Sequence, residues 1–338
     1  MKYTAHSSTG AVPVSDCWMA GGDVRPGGSW RPWRLAGLIL MLSFCGRALA
    51  IGECGAQFLK MGVGARACGM GEAYTSIADD ATAIYWNPAG LGQVDRLEFT
   101  GMQNFWLLDM SHQYLALAVP LAFGTIGVSG AYSSSGTLDR YENFQKTGEF
   151  TAYDAAGTVG YGLRAGPVRV GLSAKYIQSK IDDKQAQTVA GDAGVLCRFE
   201  TSSGYVGLGL AVQNVGPGLE FVEKSDPLPL NLKLGLAAKV GPVVLAVDAN
   251  KPRDNSVRLG AGAEVVIAGL LALRGGYNMA SGLTAGGGVT WKMVSVDYAF
   301  VPYSGVDATH RISVRVRFDP NPASGPYDPS MPDRPTMW

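Results

Sequence analysis

Histidine is almost absent from this 338-residue chain: His6, His112 and His310 are too scattered to form a metal site by spacing. Cysteine is also sparse, at five, and Cys17 and Cys45 fall in a leader described below. The remaining Cys54, Cys68 and Cys197 are an odd set at wide spacing, which fits neither a disulfide framework nor a zinc centre. Charge of either sign is missing in excess. Lys and Arg total 28, as do Asp and Glu, so the basic surplus of a nucleic-acid binder is lacking. No apolar run is long enough to cross a bilayer as a helix, and mean hydropathy is only +0.09. The glycine-rich "GVGARACG" follows no strand–helix unit and has no phosphate-cradling lysine. The adjacent acids Asp79 and Asp80 suit a helix cap better than an acid–base pair. No catalytic constellation, metal site or cofactor site emerges.

What is present in excess is glycine, 46 residues, without a collagen period. Such usage implies tight turns and close backbone approach. The first fifty residues read as an export signal: Arg31 and Arg34 precede "LAGLILMLSFCG", and Ala48-Leu49-Ala50 meets the small-residue cleavage rule. Either Met1 or Met19 can begin that leader, which is set apart from the folded chain. In an oxidising periplasm Cys54 and Cys68 can pair, although two unpaired small hydrophobes fit their spacing better.

From about Arg96 the hydrophobic period is two. "RISVRVRF" puts Ile312, Val314, Val316 and Phe318 on one face and Arg311, Ser313, Arg315 and Arg317 on the other. "LKLGLAAKV", "VRLGAGAEV" and "YVGLGLAVQN" repeat the design. About fourteen such segments are expected, near 96–104, 112–120, 124–133, 152–163, 168–178, 188–199, 204–214, 231–240, 243–250, 256–266, 269–277, 283–292, 294–301 and 310–318, within the bacterial barrel range. Their length suits tilted membrane-spanning strands. Polar links at 133–151, 181–188 and 215–230 read as loops on one rim.

The apolar face carries Leu, Val, Ile and Ala, with Tyr277, Trp291, Tyr298 and Phe300 as candidates for an interfacial girdle. Charges and glycines take the other face. In lipid, every backbone group needs an internal partner, so an exported sheet of this kind must close. The expectation is therefore an all-β, transmembrane antiparallel β-barrel over 96–318. Its apolar face meets outer-membrane lipid, and Arg258, Glu264, Arg274, Asp297, Arg311, Arg315 and Arg317 face the lumen. The stretch 319–338 holds six prolines and reads as a disordered tail.

One segment stands apart: "GMGEAYTSIADDATAIYWNPAGLG", Gly69 to Gly92. Asp79 or Asp80 can cap "DATAIYW", and Asn87 must end that turn because Pro88 follows. Asn87 can then cap a second turn, with Pro88 at its first position and Gly90 as a terminator. The stretch "FLKMGVGARACGMGEAYTSIADDATAIYWNPAGL" resembles the PorV/PorQ family of bacterial outer-membrane proteins, relatives of the FadL-type barrels. "GLGLAVQNVGPGL" and "DPLPLNLKLGLAAKV" agree as well. The resemblance implies a fourteen-stranded barrel in which residues 51–95 fold inward as a plug, with Asp79, Asp80, Tyr85, Trp86, Asn87, Pro88 and Gly90 as its motif. A periplasmic hook is the alternative placement.

Two functions of different kinds follow. The resemblance points first to a non-enzymatic outer-membrane barrel associated with protein secretion, of the type IX kind, whose partners are secretion machinery or exported cargo docking on loops 133–151 and 215–230. The alternative is a FadL-like conduit for hydrophobic small molecules, with Ile77, Ile84, Tyr85 and Trp86 lining the route. These four residues serve equally well as packing.

Overall fold

The computed structural model describes residues 54–106, 110–303 and 306–318. The leader (1–50) and the proline-rich tail (319–338) lie outside the described residues. Two hairpins build the first part of the wall: β1 (Leu97–Phe105) with β2 (Ser111–Leu121), and β3 (Gly124–Glu142) with β4 (Gln145–Ala165). Next come β5 (Val168–Ile181), β6 (Lys184–Thr201) and β7 (Gly204–Val215). A small hairpin, β8 (Leu219–Glu220) with β9 (Ser225–Asp226), interrupts the wall. The wall resumes with β10 (Asn231–Val240), β11 (Val243–Pro252), β12 (Arg258–Ile267) and β13 (Leu271–Asn278). It ends with β14 (Gly282–Trp291), β15 (Val294–Tyr303) and β16 (Val306–Phe318).

Among the described residues fourteen of these strands form one closed antiparallel barrel. Neighbours in sequence are neighbours in the wall, β7 pairs with β10, and β1 closes on β16 from Leu97↔Phe318 to Phe105↔His310. All fourteen expected strands are found. Closure leaves no strand edge bare, which a sheet in hydrocarbon cannot tolerate at several kcal/mol per unpaired group.

The faces divide as the alternation requires. Leu232, Leu234 and Leu236 point outward while Lys233 between them is buried; Ile312 and Val314 point outward around a buried Ser313. Tyr277, Trp291, Tyr298 and Phe300 are all outward and exposed. Tyr298 is not at a rim, however. It lies in the middle of β15, and its hydroxyl hydrogen-bonds His310 Nδ1 at 2.7 Å, which satisfies a polar group on an otherwise apolar face.

Tight turns of a few residues join the strands at the rim that carries Leu97 and Phe318, as at 121–124, 201–204 and 240–243. Longer connections, such as 215–231 and 252–258, occupy the opposite rim. That asymmetry assigns the first rim to the periplasm and the second to the exterior. One expectation needs correction. The links 133–151 and 181–188 are not loops: β3 and β4 stay paired up to Glu142↔Gln145, and β5 and β6 up to Ile181↔Lys184. Inward–outward alternation on β3 stops at Ser133, so the β3–β4 ladder rises past the lipid level, where both faces are wet and no apolar period is demanded.

Candidate functional site

The N-terminal segment, residues 54–95, runs from the exterior rim to the periplasmic rim against inward-facing residues of the wall. At the exterior end Gly55 N donates to the Pro227 carbonyl, and Lys60 Nζ pairs with Asp254 at 2.5 Å. At the other end Thr125 Oγ1 donates to the carbonyl of Val94. Between them the segment is short helical turns, Gln57–Lys60, Ala65–Gly69, Ala83–Trp86 and Pro88–Gln93. Turns this short cannot hold themselves in water, so packing and side-chain bonds must fix them.

On one side the fixing is electrostatic. Arg66 makes a two-pronged pair with Glu264 (2.9 and 2.8 Å) and donates to Asp79 at 2.6 Å and to the Tyr74 hydroxyl at 2.7 Å. Glu264 also accepts from Arg274, which reaches Asp297 at 2.7 Å. Arg317 makes a two-pronged pair with Glu98, whose other oxygen accepts the Ala81 N–H. Arg315 lies 3.6 Å from Asp80, and Arg311 donates to Gly62 O, Cys68 Sγ and Tyr303 Oη. Charges this deeply buried are tolerated only when paired and hydrogen-bonded throughout. Burial pushes the Asp79 carboxyl up, but the Arg66 guanidinium outweighs it and holds the group well below the usual carboxylate range. Burial likewise raises the Cys68 thiol, to about 11. Cys54, Cys68 and Cys197 are all free thiols.

On the other side the fixing is by shape. Asn87 Oδ1 accepts the Ala89 N–H at 3.1 Å, while Nδ2 donates to Thr75 O at 2.9 Å and to Val195 O of β6 at 3.3 Å. Side chains at Gly171 and Gly194 would overlap Pro88 and Asn87, so the wall there is a bare backbone sheet against the segment.

The motif residues separate by role. Asp80 Oδ1 accepts the Thr82 N–H at 2.9 Å and so braces the lead into the Ala83–Trp86 turn, whose N-cap is Thr82, whereas Asp79 serves Arg66. Gly90 does not terminate a turn, because the 3₁₀ turn continues to Gln93. A Cβ at Gly90 would overlap the Ala78 carbonyl, and that close approach is what demands glycine. Ile84 and Tyr85 line a narrow lumenal cavity of about 20 Å³, together with Phe58, Leu59, Val63 and Tyr114. Ile77 and Trp86 instead pack in the core, Trp86 Nε1 donating to Val63 O at 3.0 Å. Arg258 sits at the exterior start of β12, outside the charged cluster.

Sequence reasoning missed Arg66, Glu98 and Asp248. Asp248 Oδ2 accepts from the Tyr74 and Thr75 N–H groups at 3.0 and 2.9 Å. The available signal was an acid or base on the glycine-bearing face of an otherwise apolar strand, and an arginine inside a glycine-punctuated stretch.

Among solved structures the chain is similar to the P. putida toluene transporter TodX: 14% identity, 77% of this chain and 99% of that one, TM-score 0.55. A TodX deltaS2S3 mutant, a monoaromatic hydrocarbon channel, gives 14% identity, 76% and 98% coverage, and a TM-score of 0.56. At this identity the likeness concerns the fold. With the closed wall and its outward apolar belt, it decides the class. The chain is an outer-membrane β-barrel. No protein-family model matches it, and no curated protein matches it. Among the described residues no helix is long and apolar enough to cross a membrane.

Proposed function

We propose that the barrel is a conduit for hydrophobic small molecules and that residues 54–95 are its plug. The observation that carries this reading is the lumenal cavity. It is walled by Phe58, Leu59, Val63, Ile84 and Tyr85 from the segment and by Tyr114 and Ala156 from the barrel, yet at about 20 Å³ it holds no more than a water. An apolar pocket closed by a strap tied through Lys60–Asp254 suits a cargo that enters when the strap lifts. Support also comes from the outer face of β4–β7, where Leu163, Val170, Leu172, Val195 and Leu210 line an apolar groove of about 470 Å³. Gly171 and Gly194 back that groove, and Asn87 and Pro88 stand directly behind them. A side exit into lipid at this thin place would spare an apolar cargo from crossing water. TodX, described as a toluene transporter, lends its fold to the same reading.

Replacing Phe58 and Leu59 together by alanine enlarges the cavity and loosens the strap. Toluene uptake into proteoliposomes carrying the variant should then rise several-fold over the unchanged protein. Equal uptake by the two would remove the strap from the route.

A PorV/PorQ-like docking role in secretion is the second reading. The ladder of β3 and β4 that rises above the wall favours it, because Phe144 stands fully exposed at its tip on left-handed backbone, φ 63°, which a bulky side chain adopts only at a cost. The sequence resemblance ranks this reading first; the apolar cavity and groove favour the conduit.

A further inference from the structure

The wall of the cavity is not uniformly apolar. His112 lines it at 1% exposure, and its Nε2 is buried without a partner. Two residues along the same inward face, the Tyr114 hydroxyl is also buried and faces Ser129 without a well-formed hydrogen bond. Across the ladder from His112 stands Asn104, fully buried, with both Oδ1 and Nδ2 unsatisfied. Beyond Asn104 in the same register is Arg311, and beyond His112 is Ser133. A buried polar atom without a partner is costly, so several on one small stretch of wall demand one.

The hydrogen-bond chain sets what that partner must offer. His112 Nδ1 and Ser133 Oγ share a hydrogen bond at 2.6 Å that either atom can donate, and in both tautomers Nε2 is left unpartnered, as donor or as acceptor. The Tyr114 hydroxyl beside it can likewise donate or accept. A group that both gives and takes one hydrogen bond matches the pair. A carboxylate does not: Lys175, the cation among the lining residues, is already held by Asp192 at 2.9 Å and Asn214 at 2.8 Å, and Arg311, behind the lining, has Glu72 at 3.7 Å, so a dehydrated anion would gain little. An ammonium would meet the Lys175 charge and no free acid.

We infer that His112 and Tyr114, with Asn104 beside His112 in the same register, form a polar end to the cavity, so that the barrel selects hydrophobic molecules carrying a single uncharged hydroxyl, such as alkylphenols, over plain hydrocarbons of the same shape. This rests on the conduit reading above. A cargo seats its apolar body against Phe58, Leu59 and Ile84 as the strap yields, and its hydroxyl replaces the water that the unsatisfied atoms otherwise require.

The test is equilibrium dialysis of the full detergent-solubilised barrel against three matched probes, toluene, p-cresol and p-toluate, with proteoliposome uptake of the same three. The expected result is p-cresol bound about tenfold more tightly than toluene, the worth of one well-made hydrogen bond, with p-toluate weakest. In His112→Phe the p-cresol-to-toluene ratio should collapse toward one, and His112→Asn, which keeps a polar end, should restore part of it. Asn104→Leu serves as an independent variant should either histidine change prevent folding. Equal binding of toluene and p-cresol would mean that the row merely holds water, and would overturn this inference while leaving the conduit intact. Preference for p-toluate, or a ratio unmoved in both His112→Phe and Asn104→Leu, would overturn it too. Neither binding nor uptake of any probe would remove the conduit reading, and this inference with it.

Discussion

The two sides of the lumen hold the same N-terminal segment differently: both press wall glycines against its backbone, and toward β12–β16 a network of ion pairs is added. Toward β12–β16 the grip is charge: Arg66 on the segment bonds Glu264 on the wall, and Arg274, Asp297, Arg315 and Asp80 extend the cluster. Toward β4–β7 the grip is close contact, with Asn87 and Pro88 pressed on Gly194 and Gly171. Ion pairs respond to protons and to the loss of a partner. Glycine-on-backbone contact responds only to volume. One segment thus has an ion-paired anchor that protons can weaken and another, toward β4–β7, that rests on close packing and uncharged hydrogen bonds of Asn87.

Three changes would break or sharpen this contrast. Glu264→Leu should have the largest effect, because it removes the acid shared by Arg66 and Arg274 and leaves each with one carboxylate, Asp79 or Asp297, at about 3–5 kcal/mol for breaking such a buried pair. A fall in the unfolding midpoint of the detergent-solubilised barrel measures it; an unchanged midpoint would show that the cluster contributes nothing. Gly194→Val comes next. Overpacking of this kind costs about 1–3 kcal/mol. The change should release the Asn87–Gly92 stretch to protease while the wall stays closed, and protease resistance equal to that of the parent would sink the steric half of the contrast.

The smallest effect is on acidification. The Asp79 carboxyl is held below its ordinary value, so the stability it lends is complete above about pH 4, its unfolded range, and drains as pH falls through the lower folded value. Tryptophan fluorescence should report a loosening below that range in the parent, with a smaller acid response in Asp79→Asn, which has already lost the charge. Superimposable titrations would remove Asp79 from the anchor.

Much of the wall was legible because lipid enforces the pattern. Leu232, Leu234 and Leu236 alternate with Lys233 and Gly235, since one face meets hydrocarbon and the other the segment. Where lipid ends, so does the signal, which is why the β3–β4 ladder between Ser133 and Thr151 read as a loop. Within the segment, Asp80, Asn87 and Pro88 could be placed because bracing and capping bonds act over two or three residues. Arg66 and Glu264 are 198 positions apart, and no local rule brings them together. Gly171 and Gly194 signalled room for something. That the occupant is Pro88 and Asn87 is a property of the folded lumen alone.

The pairing of β1 with β16 joins the two ends of the wall, and the Glu98–Arg317 pair lies across that seam. A chain truncated before its final strand would therefore be an open ribbon with two raw margins, and Glu98 would lack its partner. Ring formation thus waits for the last strand of the wall, far along the chain from residues 54–95. The early-made core has to be wrapped by the later wall, as a mould is by its casting.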